Sequence, residues 1–154
     1  MKFSLLVLAA MALVSAAVFS LPLASGKASG PQREVALARS SDGHFYAEGK
    51  VNGVAVRFLI DTGASQIGLS TDDAQRAGIH VGADEFELIG EGVSGLVRGK
   101  MVEVATLDVE GVSRSGVKAA VIQGADTSLL GQPFLETIDE IVIRKDEMLL
   151  RSKG

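Results

Sequence analysis

The chain has 154 residues, a length that fits one domain. It carries 15 basic and 19 acidic residues, a mildly acidic balance without the basic surface that nucleic-acid binding needs. There is no cysteine, and His44 and His80 are the two histidines, so disulfides and thiol catalysis are excluded and a histidine-built metal site is disfavoured. We therefore expect neither a metal nor an organic cofactor.

Residues 1–24 form a leader that differs in character from the rest. After Met1 and Lys2, residues 3–24 contain no charged side chain. A basic start, an apolar run and small residues are typical of a secretory signal peptide, cleaved here after Ala16 or Ala24. The run is also about as long as the ~20 residues that span a bilayer, so a retained membrane anchor is an equal alternative. Both predict that the protein is exported.

The composition changes again after the leader. Residues 25–34 are polar and contain several glycine, serine and proline residues, which predicts a linker. The folded domain is expected over 35–154. Its short β-branched runs, separated by turn residues, predict an all-β domain.

The first predicted hairpin leads directly to an acidic residue. Asn52 and Gly53 lie between two apolar runs and predict a tight turn, since both turn residues need positive φ. The first strand is expected over 44–50. The second strand continues through residues 57–60 and ends at Asp61.

Two short helices and further strands are expected downstream. Ser70 can cap a helix whose first turn is acidic and which Gly78 ends. Pro133 predicts the start of a second helix over 132–137. Strands are predicted over 101–109 and 117–122, and a final hairpin is expected to pair 141–143 with 148–150.

Asp61 is the main candidate for a catalytic residue in this sequence. A strand end holds its side chain rigidly, and Gly63 lets the backbone N–H approach the carboxylate. The hydroxyls of Thr62 and Ser65 can also donate hydrogen bonds there. The alternative is an aspartate that only caps a turn, and Asp-Thr-Gly alone favours that alternative because short motifs occur by chance.

The surroundings of this tripeptide resemble a known family. Residues 58–65, FLIDTGAS, resemble the active-site motif of aspartic proteases, and residues 128–131, SLLG, resemble the element behind the catalytic loop in that family. The resemblance is to the single-domain, retropepsin-like aspartic proteases of bacteria and covers about 43–151. It implies a closed, barrel-like fold of six or seven strands. Export, which the leader predicts, points to the periplasm or the outer face of an inner membrane.

The resemblance implies an endopeptidase that acts on proteins or peptides through Asp61. Hydrolysis needs two facing carboxyl groups, one acting as base and one as acid. Asp126 is followed by Thr127 and Ser128 and lacks the glycine, so the second carboxyl is expected from Asp61 of another copy in a symmetric homodimer. The resemblance further implies that Thr62 braces the pair, that Gly63 and Ser65 hydrogen-bond the carboxylate, and that the loop is supported by Ala64, Leu130 and Gly131.

A flexible hairpin, the flap, is expected to cover the substrate. Residues 88–100 contain Gly90, Gly92 and Gly95, which suit a mobile tip. The tip motif and the aromatic residue found in many relatives are absent from this window. The flap residues and the peptide preference are therefore left open.

The sequence also contains features that suggest other functions. Residues 90–95 spell GxGxxG, but a strand rather than a helix is expected next, which disfavours a dinucleotide site. Ser65 lacks the surroundings of a nucleophile. A non-catalytic binding or assembly module with the same fold stays open, as does a small exported barrel for an apolar ligand. The barrel would leave Asp61 in an apolar interior without a partner.

Overall fold

The structure is a computed structural model that describes residues 32–92 and 95–153. The predicted leader over 1–24 and residues 25–31 of the predicted linker lie outside the described residues. Within the described ranges, no helix has the length and apolar character needed to cross a membrane.

The described residues form mostly strands. Their order along the chain is β1 (Gln32–Ala38), β2 (Tyr46–Val51), β3 (Val54–Ile60), β4 (Gly68–Ser70), α1 (Thr71–Arg76), a 3-10 helix (Ala83–Glu85), β5 (Glu87–Gly92), β6 (Gly95–Val109), β7 (Val112–Ile122), β8 (Ser128–Leu130), α2 (Gln132–Leu135), β9 (Glu140–Ile143) and β10 (Glu147–Lys153).

Six strands close into a barrel in the order β2-β3-β8-β4-β7-β6, because β6 also pairs with β2. β5 extends this sheet as a hairpin partner of β6. The contacts β3–β8 and β4–β7 are parallel, and the other pairs are antiparallel. The all-β, closed-barrel prediction is confirmed.

Alternation along each strand fills the barrel. In β3, Val56 and Phe58 are buried while Ala55 and Arg57 are exposed, as expected for a strand with one face in the core. Inward-facing residues of β6 and β7 complete the interior, among them Val104, Leu107, Val109, Ala119 and Val121. A rigid, packed interior of this kind holds the strand ends that carry the site.

The two helices lie where the sequence predicts them. The Ser70 hydroxyl accepts the Asp73 N–H at 3.1 Å and caps α1, and Gly78 follows the helix with φ +78°. α2 is shorter than the predicted 132–137. It ends at Leu135 with Glu136 as its C-cap, and the Thr137 hydroxyl beyond it donates to the Phe134 carbonyl at 2.7 Å.

A separate three-stranded sheet has the order β1-β10-β9. β1 begins at Gln32, so residues 32–34 are strand rather than the linker expected there, and the domain extends upstream of residue 35. Pairing explains the difference: β1 lies antiparallel to β10 from Gln32 opposite Lys153 to Ala38 opposite Glu147. Backbone pairing over this length does not need an apolar sequence.

β6 and β7 are also longer than predicted. They begin at Gly95 and Val112, upstream of the expected 101 and 117. The two strands pair with each other from Gly99 opposite Ile122 to the turn at Glu110 and Gly111. This continuous ladder includes polar stretches that carry no strand pattern in the sequence.

Candidate active site

Asp61 stands at the end of β3, where a parallel neighbour holds the backbone. Ile60 lies opposite Leu130 of β8, and the Asp61 N–H donates to the Leu130 carbonyl at 3.2 Å. Leu130 is fully buried. The position of the catalytic candidate is therefore set by the interior of the barrel rather than by a free loop.

A tight turn follows and orients the carboxylate. The Ala64 N–H donates to the Asp61 carbonyl at 3.2 Å, and the Gly63 N–H donates to Oδ1 of Asp61 at 2.8 Å. Asp61 is half-buried, and Gly63 is exposed. One carboxylate oxygen is thus held by the backbone beside open space.

The first residue of α2 holds the turn after Asp61 through two hydrogen bonds. The Gln132 side-chain Nε2 donates to the Thr62 carbonyl at 2.6 Å, and the Gln132 N–H donates to the Ala64 carbonyl at 2.9 Å. A Cβ at Gly131 would lie 2.6 Å from that same Ala64 carbonyl and would also collide with the backbone of Gln66. Gln132 was not singled out from the sequence. Its place directly after Gly131, at the start of a helix, is the signal that could have identified it.

Ser65 differs from the expectation. Its side chain is exposed, and within residues 32–92 and 95–153 no hydrogen bond joins its hydroxyl to the Asp61 carboxylate. The physical reason is that the turn already closes at Ala64, which leaves Ser65 on the surface. Thr62 is exposed as well, so its side chain is available to contacts outside the single chain.

A groove of about 400 Å³ lies over Asp61. The turn residues form one side, and the β5–β6 hairpin, together with residues of the barrel wall, forms the rest. Its lining includes Asp61, Gly63, Ala64, Ser65, Gln66, Gly68, Ile89, Gly90, Glu91, Gly92, Val97, Ile122 and Leu129. The groove therefore combines one carboxylate with walls that are largely apolar.

The β5–β6 hairpin stands where the flap was predicted, and we call it the flap. Gly90 and Gly92 line the groove, and Gly95 adopts φ +108°. Residues 93 and 94 of the predicted window lie outside the described residues.

Two apolar flap residues, Ile89 and Val97, also line the groove and were missed from the sequence. The register shifts between Leu88 and Gly90, at the position of Ile89. A Cβ at Gly99 would collide with the Ile89 side chain. Gly99 thus leaves the space that Ile89 occupies.

The other chemical candidates stay away from Asp61. Asp126 lines a separate cavity beside Arg57 and Arg76. His80 lines another small cavity, and His44 is exposed. Among the described residues, no group of three or more histidine, aspartate or glutamate side chains is arranged to hold a metal ion.

A barrel with a carboxylate on a glycine turn, covered by a hairpin, defines the acid-protease class of fold. The model of the family described as "gag-polyprotein putative aspartyl protease" matches residues 47–137. The chain belongs to this family of retropepsin-like proteins.

Solved structures agree with this assignment. A retropepsin-like aspartic protease from Rickettsia conorii is 32% identical, with a TM-score of 0.66 over 79% of this chain and 93% of that one. The EIAV protease in complex with the inhibitor HBY-793 is 21% identical, with a TM-score of 0.50 over 63% of this chain and 89% of that one. The second likeness shows the shared fold alone.

Two curated relatives are uncharacterised proteins. One, from the cobV 5′ region of Sinorhizobium sp., is 32% identical over 122 residues, which are 78% of this chain and 52% of the relative. The other, RP867 of Rickettsia prowazekii, is 35% identical over 118 residues, which are 76% of this chain and 51% of the relative. The chain therefore spans about half the length of the curated relatives it matches.

Proposed function

We propose that the protein is an aspartic endopeptidase in which two copies of Asp61 activate one water molecule. The observation that carries the proposal is the position of Asp61: its Oδ1 accepts the Gly63 N–H at 2.8 Å, and Asp61 lines a groove of about 400 Å³ together with residues of the flap. Membership of the family and the likeness to the Rickettsia conorii protease support the same reaction class.

The reaction uses the two carboxyl groups in different states. The ionised one takes a proton from the water, whose oxygen attacks the peptide carbonyl carbon, while the protonated one donates its proton to the carbonyl oxygen. The resulting diol collapses when its C–N bond breaks and a proton moves to the departing nitrogen. Two such groups in close contact share one proton, because two negative charges this close repel each other.

The second carboxyl group comes from a second copy in this proposal. Asp126 lies in another cavity and cannot face Asp61 within one chain. A two-fold axis beside the exposed Thr62 would bring two Asp61 turns together and make each interface residue meet its symmetry mate. Thr62 is then placed to brace one turn against the other.

The test compares the wild type with Asp61→Asn on an unstructured protein, such as reduced and alkylated casein, at several pH values. Asparagine keeps the shape of the side chain but cannot exchange the proton, so the cleavage rate should fall by roughly 100- to 10,000-fold. Asp126→Asn is the matched control, because it removes the other Asp-Thr carboxylate, and its rate should equal that of the wild type.

Equal cleavage by wild type and Asp61→Asn would refute the catalytic assignment. If neither protein cleaves the substrate but both bind it, the result would instead support the alternative of a non-catalytic binding module. The two functions are separated because the first depends on proton transfer and the second on the groove alone.

We also propose that the protein is exported. The uncharged stretch over 3–24, preceded by Lys2, supports this location. Alkaline phosphatase fused after residue 154 should be active in a bacterial host and inactive after deletion of residues 1–24. Activity that survives the deletion would contradict export through this segment, and N-terminal sequencing of the fused product would distinguish a cleaved signal from a retained anchor.

A further inference from the structure

A second cavity, of about 410 Å³, lies between β6, β7, α2 and the loop after Asp61. We call it the side pocket and define it by Gln66, Met101, Arg114, Val117, Lys118 and Phe134. Among the residues that line the two cavities, Gln66 alone is common to the side pocket and the active-site groove. The side pocket is therefore a neighbour of the active site that the proposed reaction does not use.

The base of the side pocket is apolar. Phe134 is buried, Val117 is half-buried, and Met101 is 45% exposed even though it is a large apolar side chain. Methionine is flexible enough to adapt its shape to different apolar partners. The pocket thus suits one apolar side chain of an incoming partner.

Two cations lie at the same pocket without an acidic partner. Arg114 and Lys118 are both exposed and form no ion pair with any residue in 32–92 or 95–153. Glu103 is opposite Lys118 in the β6–β7 ladder, but the two form no ion pair in the described structure. In a chain with a net charge of −4, this free positive charge favours acidic partners at this place.

A buried polar atom at the pocket also lacks a partner. Oε1 of Gln66 is buried and accepts no hydrogen bond in the described structure. Leaving a buried acceptor unsatisfied is costly, so such groups are rare in folded proteins. A donor reaches this atom only when the Gln66 side chain turns toward the pocket. The backbone N–H groups of a peptide are donors of this kind, whereas an ionised fatty acid or a phosphate dianion has none.

The spacing of the two cations limits the form of the partner. Arg114 and Lys118 are four positions apart on β7, so their backbones are up to about 13 Å apart along the strand. Gly116 between them adopts φ +62° and is missing from the β6–β7 pairing, so this distance is an upper limit. An extended peptide with acids four positions apart matches that limit, and its residue midway between the acids points to the same side as they do. The matching pattern is Glu-x-Leu-x-Glu, with the leucine directed at the apolar base.

The chain's own leader and the linker residues before β1 do not fit this description. Residues 1–31 contain Lys2 and Lys27 and no acidic residue. They would place positive charge against Arg114 and Lys118. The occupant is therefore sought outside this segment.

We propose that the side pocket is an exosite, a secondary binding site, for an extended acidic segment of the substrate polypeptide with the pattern Glu-x-Leu-x-Glu. The role as an exosite rests on the proposed protease function, while the binding itself does not. The occupant touches Gln66, and it touches α2, whose Gln132 holds the carbonyls of Thr62 and Ala64. The pocket is thus placed to tether substrate beside the catalytic turn.

Binding is tested with the full-length Asp61→Asn chain, so that the probe is not cut. The probe is a rhodamine-labelled peptide with the sequence Gly-Glu-Ala-Leu-Ala-Glu-Gly, measured by fluorescence anisotropy. We expect saturable binding that weakens as salt is added, and no binding of the matched peptide in which both glutamates are lysines. Absence of saturable binding would overturn the proposal.

Charge reversal locates the site. Arg114→Glu combined with Lys118→Glu should weaken binding at least tenfold, and the milder pair Arg114→Gln and Lys118→Gln serves if the reversal perturbs folding. The matched control is Lys50→Glu combined with Lys145→Glu, which makes the same charge change at two exposed lysines outside the pocket and should leave binding unchanged. Equal losses in both double variants would show a general charge effect and refute the pocket.

A second arm tests the role as an exosite. A protein substrate with the Glu-Ala-Leu-Ala-Glu segment next to the cleaved region should have a lower KM than the same substrate with glutamines, at an equal kcat. The Arg114 and Lys118 double variant should remove this difference. Peptide binding without a KM effect would refute the exosite, whereas loss of all cleavage with binding intact would refute the protease function only. Stronger binding to anionic vesicles than to the peptide, lost in the same variant, would overturn a peptide partner.

Discussion

Asp42 shows how one exposed residue can make stability depend on pH. Its Oδ1 accepts the His44 N–H at 3.0 Å, and its Oδ2 accepts the Tyr46 hydroxyl at 2.7 Å. The backbone hydrogen bond from His44, followed by the hydroxyl of Tyr46, holds the pKa of Asp42 below its usual 3.8. The same contact raises the pKa of Tyr46, because the bond to Asp42 needs the phenol proton.

Asp42→Asn should therefore lower the free energy of unfolding near neutral pH but not in acid. A group whose folded-state pKa is depressed stabilises the fold above its unfolded pKa and loses that contribution as the pH falls through the folded value. Urea unfolding of wild type and variant should show a difference at pH 7 that shrinks below about pH 4. Asp146→Asn is the control, because that exposed carboxylate makes no hydrogen bond with a described residue. A constant difference at every pH would contradict the assignment.

Gly131 shows what can be read from a single position. The sequence places it after two leucines, and the resemblance to a protease family marks it as support for the catalytic loop. The tertiary structure supplies the reason: a Cβ there would lie 2.6 Å from the Ala64 carbonyl and would collide with the backbone of Gln66. Ser65 is the opposite case, since its hydroxyl suits a hydrogen bond to Asp61 but the turn closes one residue too early.

The β1-β10-β9 sheet is held across its strands by charge as well as by backbone pairing. The Arg151 guanidinium on β10 lies 2.5 Å from the carboxylate of Glu34 on β1 and 2.5 Å from that of Glu140 on β9. The hydrogen bonds to Glu140 and then to Glu34 raise the pKa of Arg151 further above its usual range. One side chain thus links the middle strand to both neighbours.

Arg151→Met should loosen β1 more than it loosens the barrel. All three charged side chains are partly exposed to solvent, which screens their attraction, so the loss in free energy of unfolding should be small. Hydrogen exchange should increase over 32–38, because β1 loses the ion pair that joins its Glu34 to β10. Arg144→Met removes an ion pair within the β9–β10 hairpin and should leave β1 protected. Equal exchange over 32–38 in both variants would contradict the role of Arg151.

The molecule as a whole contains half of the proposed catalytic pair. Asp61 lies in the groove, while Asp126, the other aspartate followed by threonine, lines a cavity beside Arg57 and Arg76. The homodimer proposal therefore predicts how activity changes when wild-type and variant chains are mixed in one dimer.

In this test, wild-type and Asp61→Asn chains are unfolded and refolded together in equal amounts. The mixture should retain about one quarter of the activity of the same total amount of wild type. Random pairing gives that fraction of dimers with two intact Asp61 residues. Co-refolding with Asp126→Asn should retain full activity. Retention of half the activity with Asp61→Asn would show that each wild-type chain works alone. Sedimentation of the same mixtures reports the dimer directly.

Local sequence is enough to predict the strand-rich class of the domain, the Asn-Gly hairpin, the cap of α1 and the position of Asp61 at a strand end, because each depends on local periodicity or on the backbone preferences of a few adjacent residues. The pairing of β1 with β10, the hydrogen bonds of Gln132 to the turn after Asp61, and the pocket that Arg114 and Lys118 share with Gln66 become visible only in the folded chain. These features join residues far apart in the chain, and their pairing depends on how the closed barrel brings surfaces together.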